Sequence, residues 1–213
     1  MTEIPVIKRA KLMPEILERA RGYKRFIVAV AGAPAAGKST LAEALCDEIN
    51  GYSASKLCAV VPMDGFHYDN AILDARGHRA RKGAPHTFDA EGFRVLLSRL
   101  KYEDGDIAIP VFDRAQDLAR AGAALVMEQH QILLVEGNYL LLDQPVWREL
   151  RQYFDRSIFL DVPFVTLESR LIQRWLDHGA DAEAARKRAL SNDIPNAQTV
   201  MQLSCPADFI LQD

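Results

Sequence analysis

"AVAGAPAAGKSTLAE", Ala29 to Glu43, decides how the rest of the chain is read. An apolar run, Phe26–Ala31, gives way to a loop of small residues, and a helical pattern begins after Ser39. Gly32-Ala33-Pro34-Ala35-Ala36-Gly37-Lys38-Ser39 fits G-x-x-x-x-G-K-[ST], the phosphate-binding P-loop. A polyphosphate needs many donors packed around it, and backbone N–H groups supply them only where side chains leave the approach open. Glycine permits the positive φ that such a nest requires. The helix that follows turns its positive end toward the anion. Lys38 adds a full charge near the β and γ phosphates. Ser39, followed by Thr40, offers its hydroxyl to Mg²⁺. A chance match in a chain of 213 residues is on the order of 1 in 100, and the flanking strand and helix patterns lower those odds further.

Outward from the loop, four more apolar runs lie at Leu57–Val61, Gln131–Val135, Ser157–Val162 and Phe209–Leu211. They are rich in Val, Ile and Leu and do not alternate with polar residues, which suits strands covered on both faces of a parallel sheet. Helical faces separate them: Leu41, Leu45, Cys46 and Ile49, then Phe93, Leu96, Leu97 and Leu100, with Asp89 as an N-cap. The expectation is an α/β fold of the P-loop type, a three-layer α/β/α arrangement with a five-stranded parallel sheet. No Pro/Gly/Ser linker divides residues 1–213, so they are read as one domain. The stretch 65–129 is too long for one crossover helix and is expected to cover a substrate.

The bulk numbers narrow the function classes. A net charge of −3 argues against a nucleic-acid partner. Three cysteines, widely spaced and without a CxxC pair, read as reduced thiols in a cytoplasmic protein. No apolar run is long enough to span a bilayer, so no membrane insertion is expected. The expected partner is a small-molecule alcohol, with a homodimer left open.

A bound triphosphate leaves a kinase, a GTPase switch and an ATPase motor in contention. No Asn-Lys pair of the guanine-reading type occurs. Two carboxylates instead stand where strands should end, Asp64 in "VVPMDGF" and Glu136 in "ILLVEGN". A carboxylate facing the γ-phosphate can orient an acceptor hydroxyl and take its proton, which is the role given to Asp64. Glu136 occupies the position of an acid that holds Mg²⁺ with Ser39, and Asp64 borders the same metal. Each would otherwise be an ordinary turn residue. Arg170 and Arg174 lie at i and i+4 on one helix face, either closing over phosphates or lining a solvated surface. Arg76, Arg79, Arg81 and Lys82 form a cationic run that is either an anion site or a solvated loop. His67, His78 and His86 lack metal-ligand spacing. Tyr68 and Phe88 could stack on an acceptor, or belong to the core.

Taken together, "PMDGFHYDNAILDARGHRARKGAPHTFDAEGF" and "VEGNYLL" resemble the P-loop kinase group of uridine kinase, phosphoribulokinase and bacterial pantothenate kinase, and look most like proteins labelled fructose transport system kinases. The resemblance covers nearly the whole chain from Phe26. It implies ATP and Mg²⁺ as cofactors, Asp64 as catalytic base, Glu136 near the metal and Lys38 on the phosphates. It also implies Arg170 and Arg174 in a lid around Leu167–Leu190. Asp89 would meet hydroxyls of a polyol, and Asn192 and Asn196 would lie where adenine rests. His67, Tyr68, Arg81, Phe112, Arg114 and Asn138 complete the expected acceptor side. Phe112 and Asp117 replace a tyrosine and a histidine of uridine kinases, which argues against uridine. The implied function is transfer of a γ-phosphoryl group to a sugar-like acceptor such as fructose. The alternatives are a nucleoside or pantothenate-type kinase and a slow regulatory ATP-binding protein.

Overall fold

The computed structural model describes residues 4–53 and 55–212. Its strands are β1 Phe26–Gly32, β2 Cys58–Pro62, β3 Ile107–Asp113, β4 Leu118–Val126, β5 Ile132–Gly137, β6 Arg156–Asp161 and β7 Phe209–Gln212. Its α-helices are α1 Arg9–Arg19, α2 Lys38–Tyr52, α3 Asn70–Ala75, α4 Ala90–Tyr102, α5 Phe164–Asp177, α6 Ala182–Arg188 and α7 Ile194–Leu203. Five strands form one parallel sheet in the order β2-β5-β1-β6-β7. The apolar runs become these strands with ends displaced by a residue or two, and helices flank them in the expected α/β/α arrangement.

The two central strands explain the pattern. β1 and β5 are buried along their whole length, so neither has a solvent face to alternate with. α2 covers β1, β2 and β5 with Leu41, Ala42, Leu45, Cys46 and Ile49, and α1 packs on α2. Arg9 of α1 grips Glu48 of α2 with two bonds of 3.1 and 2.6 Å. Asp89 caps α4, its Oδ1 accepting the Gly92 N–H at 2.9 Å. Cys46 and Cys58 are brought together as buried free thiols.

The stretch 65–129 holds α3, short 3-10 turns, α4 and an antiparallel hairpin of β3 and β4. The sequence reading did not resolve that hairpin. Pro110 interrupts β3 at a register shift, and β4 is mostly exposed Ala, Gly and Arg, so neither strand shows a clean alternation. Beyond β6, α5 is followed by α6 and a wide π turn, Ala189–Asp193, that leads into α7. The expected lid segment falls on this α5–α6 unit.

Candidate active site

Register builds the site. Parallel pairing sets Val30, Glu136 and Pro62 side by side across β1, β5 and β2. Just past this row, β1 enters the P-loop at Gly32 and β2 reaches Asp64. Loop, Asp64 and Glu136 therefore share the carboxyl edge of the sheet, where ligands collect in open parallel folds.

Within the loop φ is positive at Gly32 (153°), Ala35 (65°) and Gly37 (93°). A Cβ at Gly32 would lie 3.0 Å from the carbonyl oxygen of Leu160, so glycine is needed both for its φ and for the approach of β6. Ala35 adopts a conformation that costs an L-residue about 1–2 kcal/mol. Neighbours hold it: Ala36 N–H donates to Ala33 O at 3.1 Å, and Arg170 Nη1 from α5 donates to Ala35 O at 3.4 Å.

Lys38 is buried and donates from Nζ to Ala33 O at 2.8 Å. Burial lowers its pKa to about 8, against the pull of Glu136 and Asp64; the positive charges of Arg114 and Arg174 push the same way as burial. Glu136 is 6% exposed. Burial first, then the negative charge of Asp64, raises its pKa to about 7, while Lys38 and a hydrogen bond with Ser39 oppose the rise. The site therefore sets two carboxylates and a hydroxyl beside a buried lysine. Among the described residues no three His, Cys, Asp or Glu side chains cluster as a metal cage. Magnesium suits such a place, because it binds through one or two carboxylates together with substrate phosphates. Ser39, Glu136 and Asp64 are the oxygen donors that fit it.

Asp64 sits in a 3-10 turn, Met63–Phe66, immediately after β2. A Cβ at Gly65 would stand 2.4 Å from Pro110 O, so glycine here lets the hairpin press against the turn. That contact delivers Arg114 from the hairpin tip, with Nη2 3.5 Å from Asp64 Oδ2. His67 Nδ1 donates to Asp64 O at 2.8 Å, and burial keeps the imidazole pKa low.

Residues 27–205 match the phosphoribulokinase / uridine kinase family. The chain belongs to that family. A candidate fructose transport system kinase from Silicibacter sp. TM1040 has a crystal structure that is 47% identical, covers 96% of this chain and 98% of its own, and superposes with a TM-score of 0.89. A candidate uridine kinase of Schizosaccharomyces pombe is 33% identical over 95% of this chain and 89% of its own. A pantothenate kinase of Limosilactobacillus reuteri is 31% identical over 75% of this chain but only 52% of its own length, so the chain spans about half of that relative. The protein is accordingly a P-loop kinase, a phosphotransferase that uses ATP and an alcohol acceptor.

The remaining residues of this kinase divide into two groups. Near Asp64, the His67 ring lies 4.0 Å from Phe88 and 4.7 Å from Phe112, centroid to centroid, and Lys82 Nζ sits 5.0 Å over Phe112. Asn138 follows β5 half-buried at the same edge. Arg170 of α5 reaches the loop by its bond to Ala35, and the charge of Arg174 is felt at Lys38.

The second group makes its contacts within the chain. Asn192 and Asn196 are 1% and 3% exposed. Asn192 Nδ2 donates to Lys82 O at 2.8 Å, and Asn196 Nδ2 approaches Asn192 Oδ1 at 3.4 Å. In this structure the two amides expected beside adenine bond to the chain itself. Arg81 donates to Ser191 O at 2.9 Å and meets Asn196 Oδ1 at 3.4 Å. Tyr68 lies under Arg76, 4.8 Å from its guanidinium carbon. Asp89 spends Oδ1 on its helix cap.

Sequence reasoning missed Tyr139, whose buried hydroxyl donates to Gly83 O at 2.6 Å, and Arg188, which donates to Ala80 O at 3.1 Å. It also missed Trp175 of α5, whose indole N–H donates to Asp193 in the π turn while Arg188 lies over its ring. One signal was present: Asn192, Asn196 and Val200 repeat at i, i+4 and i+8, which puts two amides on a buried helical stripe.

Proposed function

We propose that this kinase transfers the γ-phosphoryl group of ATP to a hydroxyl of a small, sugar-like acceptor. The observation that carries this reading is Asp64, a carboxylate at the same sheet edge as Lys38 and Glu136, faced by Arg114. Asp64 takes the proton of the acceptor hydroxyl as its oxygen bonds to the γ-phosphorus; the bond to the β–γ bridging oxygen breaks and ADP leaves. The loop amides of residues 32–40 and Lys38 hold the phosphates. Ser39 and Glu136, bordered by Asp64, are the ligands for Mg²⁺, which supplies charge neutralisation on the phosphates when bound. Arg174 with Arg170 brings positive charge over the transferring group from a lid formed by α5 and α6.

A non-planar acceptor is supported by the aromatic groups beside Asp64. His67 lies between Phe88 and Phe112, so these rings pack on one another rather than offering an open slot for a base. Fructose is the first acceptor to try, given the name of the Silicibacter relative. A nucleoside or pantothenate-type acceptor is the second reading, favoured by the names of the other relatives. We read residues 1–213 as one cytoplasmic kinase domain.

The test is ADP release with ATP and Mg²⁺ against hexoses, pentoses, nucleosides, pantothenate and sugar phosphates, with Asp64→Asn as control. One sugar should raise turnover in the wild type alone. Stimulation by a nucleoside or by pantothenate would transfer the assignment to the second reading. No stimulation by any acceptor, with ATP still bound, would favour a slow regulatory ATPase.

A further inference from the structure

Residues Ala80–Ala84 are tied on both sides by side chains that the phosphoryl-transfer chemistry does not use. On the lid side, Arg188 donates to Ala80 O at 3.1 Å, Arg81 to Ser191 O at 2.9 Å and Asn192 to Lys82 O at 2.8 Å. Tyr139, just after β5, donates to Gly83 O at 2.6 Å. On the acceptor side, Lys82 Nζ donates to Asp117 Oδ1 and Asp117 O at 2.8 Å each, and to Asn70 Oδ1 at 2.7 Å. Asn70 Nδ2 in turn donates to Asp117 Oδ2 at 2.9 Å.

Asp117 closes the β3–β4 tip with φ +54°. Asp113 Oδ1 at the start of that tip accepts from the N–H groups of Ala115 and Gln116, both at 3.1 Å, and Arg114, Ala115 and Gln116 are exposed. Arg114 projects from this turn to Asp64. A continuous series of contacts therefore runs from the π turn through Asn192, Lys82 and Asp117 to Arg114 and the catalytic edge.

Two features mark the Asn192 end as built for this connection. The π turn inserts a residue that an α-helix would not need, and such insertions recur at functional sites. A buried amide at a helix junction is also a poor choice for packing alone, since an apolar side chain would avoid its desolvation. Once satisfied, a polar network of this kind fixes one arrangement of the parts it joins.

We infer that Asn192 and Lys82 are positioning residues that join the lid to the acceptor cover, so that nucleotide held under the lid orders the β3–β4 tip beside Asp64. The inference rests on the kinase reading above. By linkage, acceptor and nucleotide then tighten each other's binding by the same factor, within the roughly 5- to 150-fold range usual for coupled sites.

Hydrogen exchange followed by mass spectrometry tests this without an identified acceptor. The probe is Mg²⁺ with the non-hydrolysable analogue adenylyl imidodiphosphate. In the wild type, exchange should slow at residues 32–40 and 167–190, and also at 79–84 and 113–118. In Lys82→Gln the loop and lid should keep their protection, while the analogue-induced change at 113–118 should fall about tenfold. Lys82→Arg, which keeps the charge and the reach, should restore it. Asn192→Ala should behave as Lys82→Gln; if that variant does not fold, the lysine pair still decides the matter. A purely structural role for Lys82 would speed exchange at the tip equally with and without analogue, leaving the ligand-induced difference intact, and that result overturns the inference. So does wild-type protection that ends at the lid. Analogue that protects neither loop nor lid overturns the kinase reading as well.

Discussion

The P-loop rests on strands buried along their entire length, whereas the proposed acceptor cover hangs from a hairpin whose outer strand is mostly exposed. The first region binds with backbone groups and needs only small residues, a lysine and a rigid floor. The second is held by side-chain bonds among Lys82, Asp117, Asn70, Asn192 and Tyr139. The contrast separates two problems. Gripping phosphates is a generic task met by main-chain geometry. Placing one particular hydroxyl, the task we propose for the second region, would fall to polar side chains on a region with less apolar burial behind it.

The sharpest way to break the comparison is at Asp64. Asp64→Asn should lower turnover by about 10³-fold, in the range for loss of a general base, while nucleotide affinity stays nearly unchanged. Turnover and calorimetric nucleotide titration on the same preparation check this; comparable turnover in the variant would falsify the base assignment. Lys38→Ala should differ in kind, lowering rate and nucleotide affinity together, with the rate down about 10²-fold. A variant that binds nucleotide normally would show that Lys38 is not a phosphate ligand.

Gly32→Ala tests the floor itself. The new Cβ would meet Leu160 at 3.0 Å with φ at 153°, and strained backbone of this kind costs about 1–3 kcal/mol. A lower denaturation midpoint and weakened nucleotide binding are expected together; an unchanged melting curve would mean that β6 yields easily.

Glu136 gives the phosphate side a pH signature. Its folded pKa, about 7, lies above the ordinary 4.5, so its contribution to stability is complete below about 4.5 and is lost as pH rises through about 7. The nucleotide-free protein should therefore lose stability across that window, and Glu136→Gln should flatten this limb of the curve. A limb of equal slope in the variant would assign the effect elsewhere.

The smallest effect sharpens the acceptor side. Asp89→Ala should cost about 1 kcal/mol through the lost helix cap, whereas Asp89→Asn should cost much less because asparagine caps equally well. If Asp89 also meets an acceptor hydroxyl, Asp89→Asn will raise the acceptor KM at nearly wild-type stability. An unchanged KM leaves the residue with its cap alone.

How far the sequence could be read follows the same division. The sheet was legible because strands buried on both faces are unbroken apolar runs, and the loop because G-x-x-x-x-G-K-[ST] leaves few alternatives. Asp64 and Glu136 were legible as acids at strand ends. The hairpin was not, because Pro110 and the exposed alanines of β4 erase the alternation that identifies strands. Nor was Ala35, which takes a positive φ where glycine would be sought. The internal bonds of Asn192, Asn196 and Arg81 were not legible, because a polar residue announces hydrogen bonding but not its partner. Arg81 and Asn192 find partners more than a hundred residues away in the chain, which meet only once α6, the π turn and α7 have docked.

One consequence concerns light rather than chemistry. The chain has two tryptophans. Trp147 is 4% exposed in the core among Phe88 and Tyr139. Trp175 instead stands in the lid between two opposite charges, the carboxylate of Asp193 on its indole N–H and the guanidinium of Arg188, 5.2 Å from its ring centroid. Displacing either charge alters the electric field across the indole and with it the colour of its emission. The kinase thus carries an intrinsic fluorescent reporter at the junction of α5, α6 and the π turn, with Trp147 as an internal standard and no dye attached.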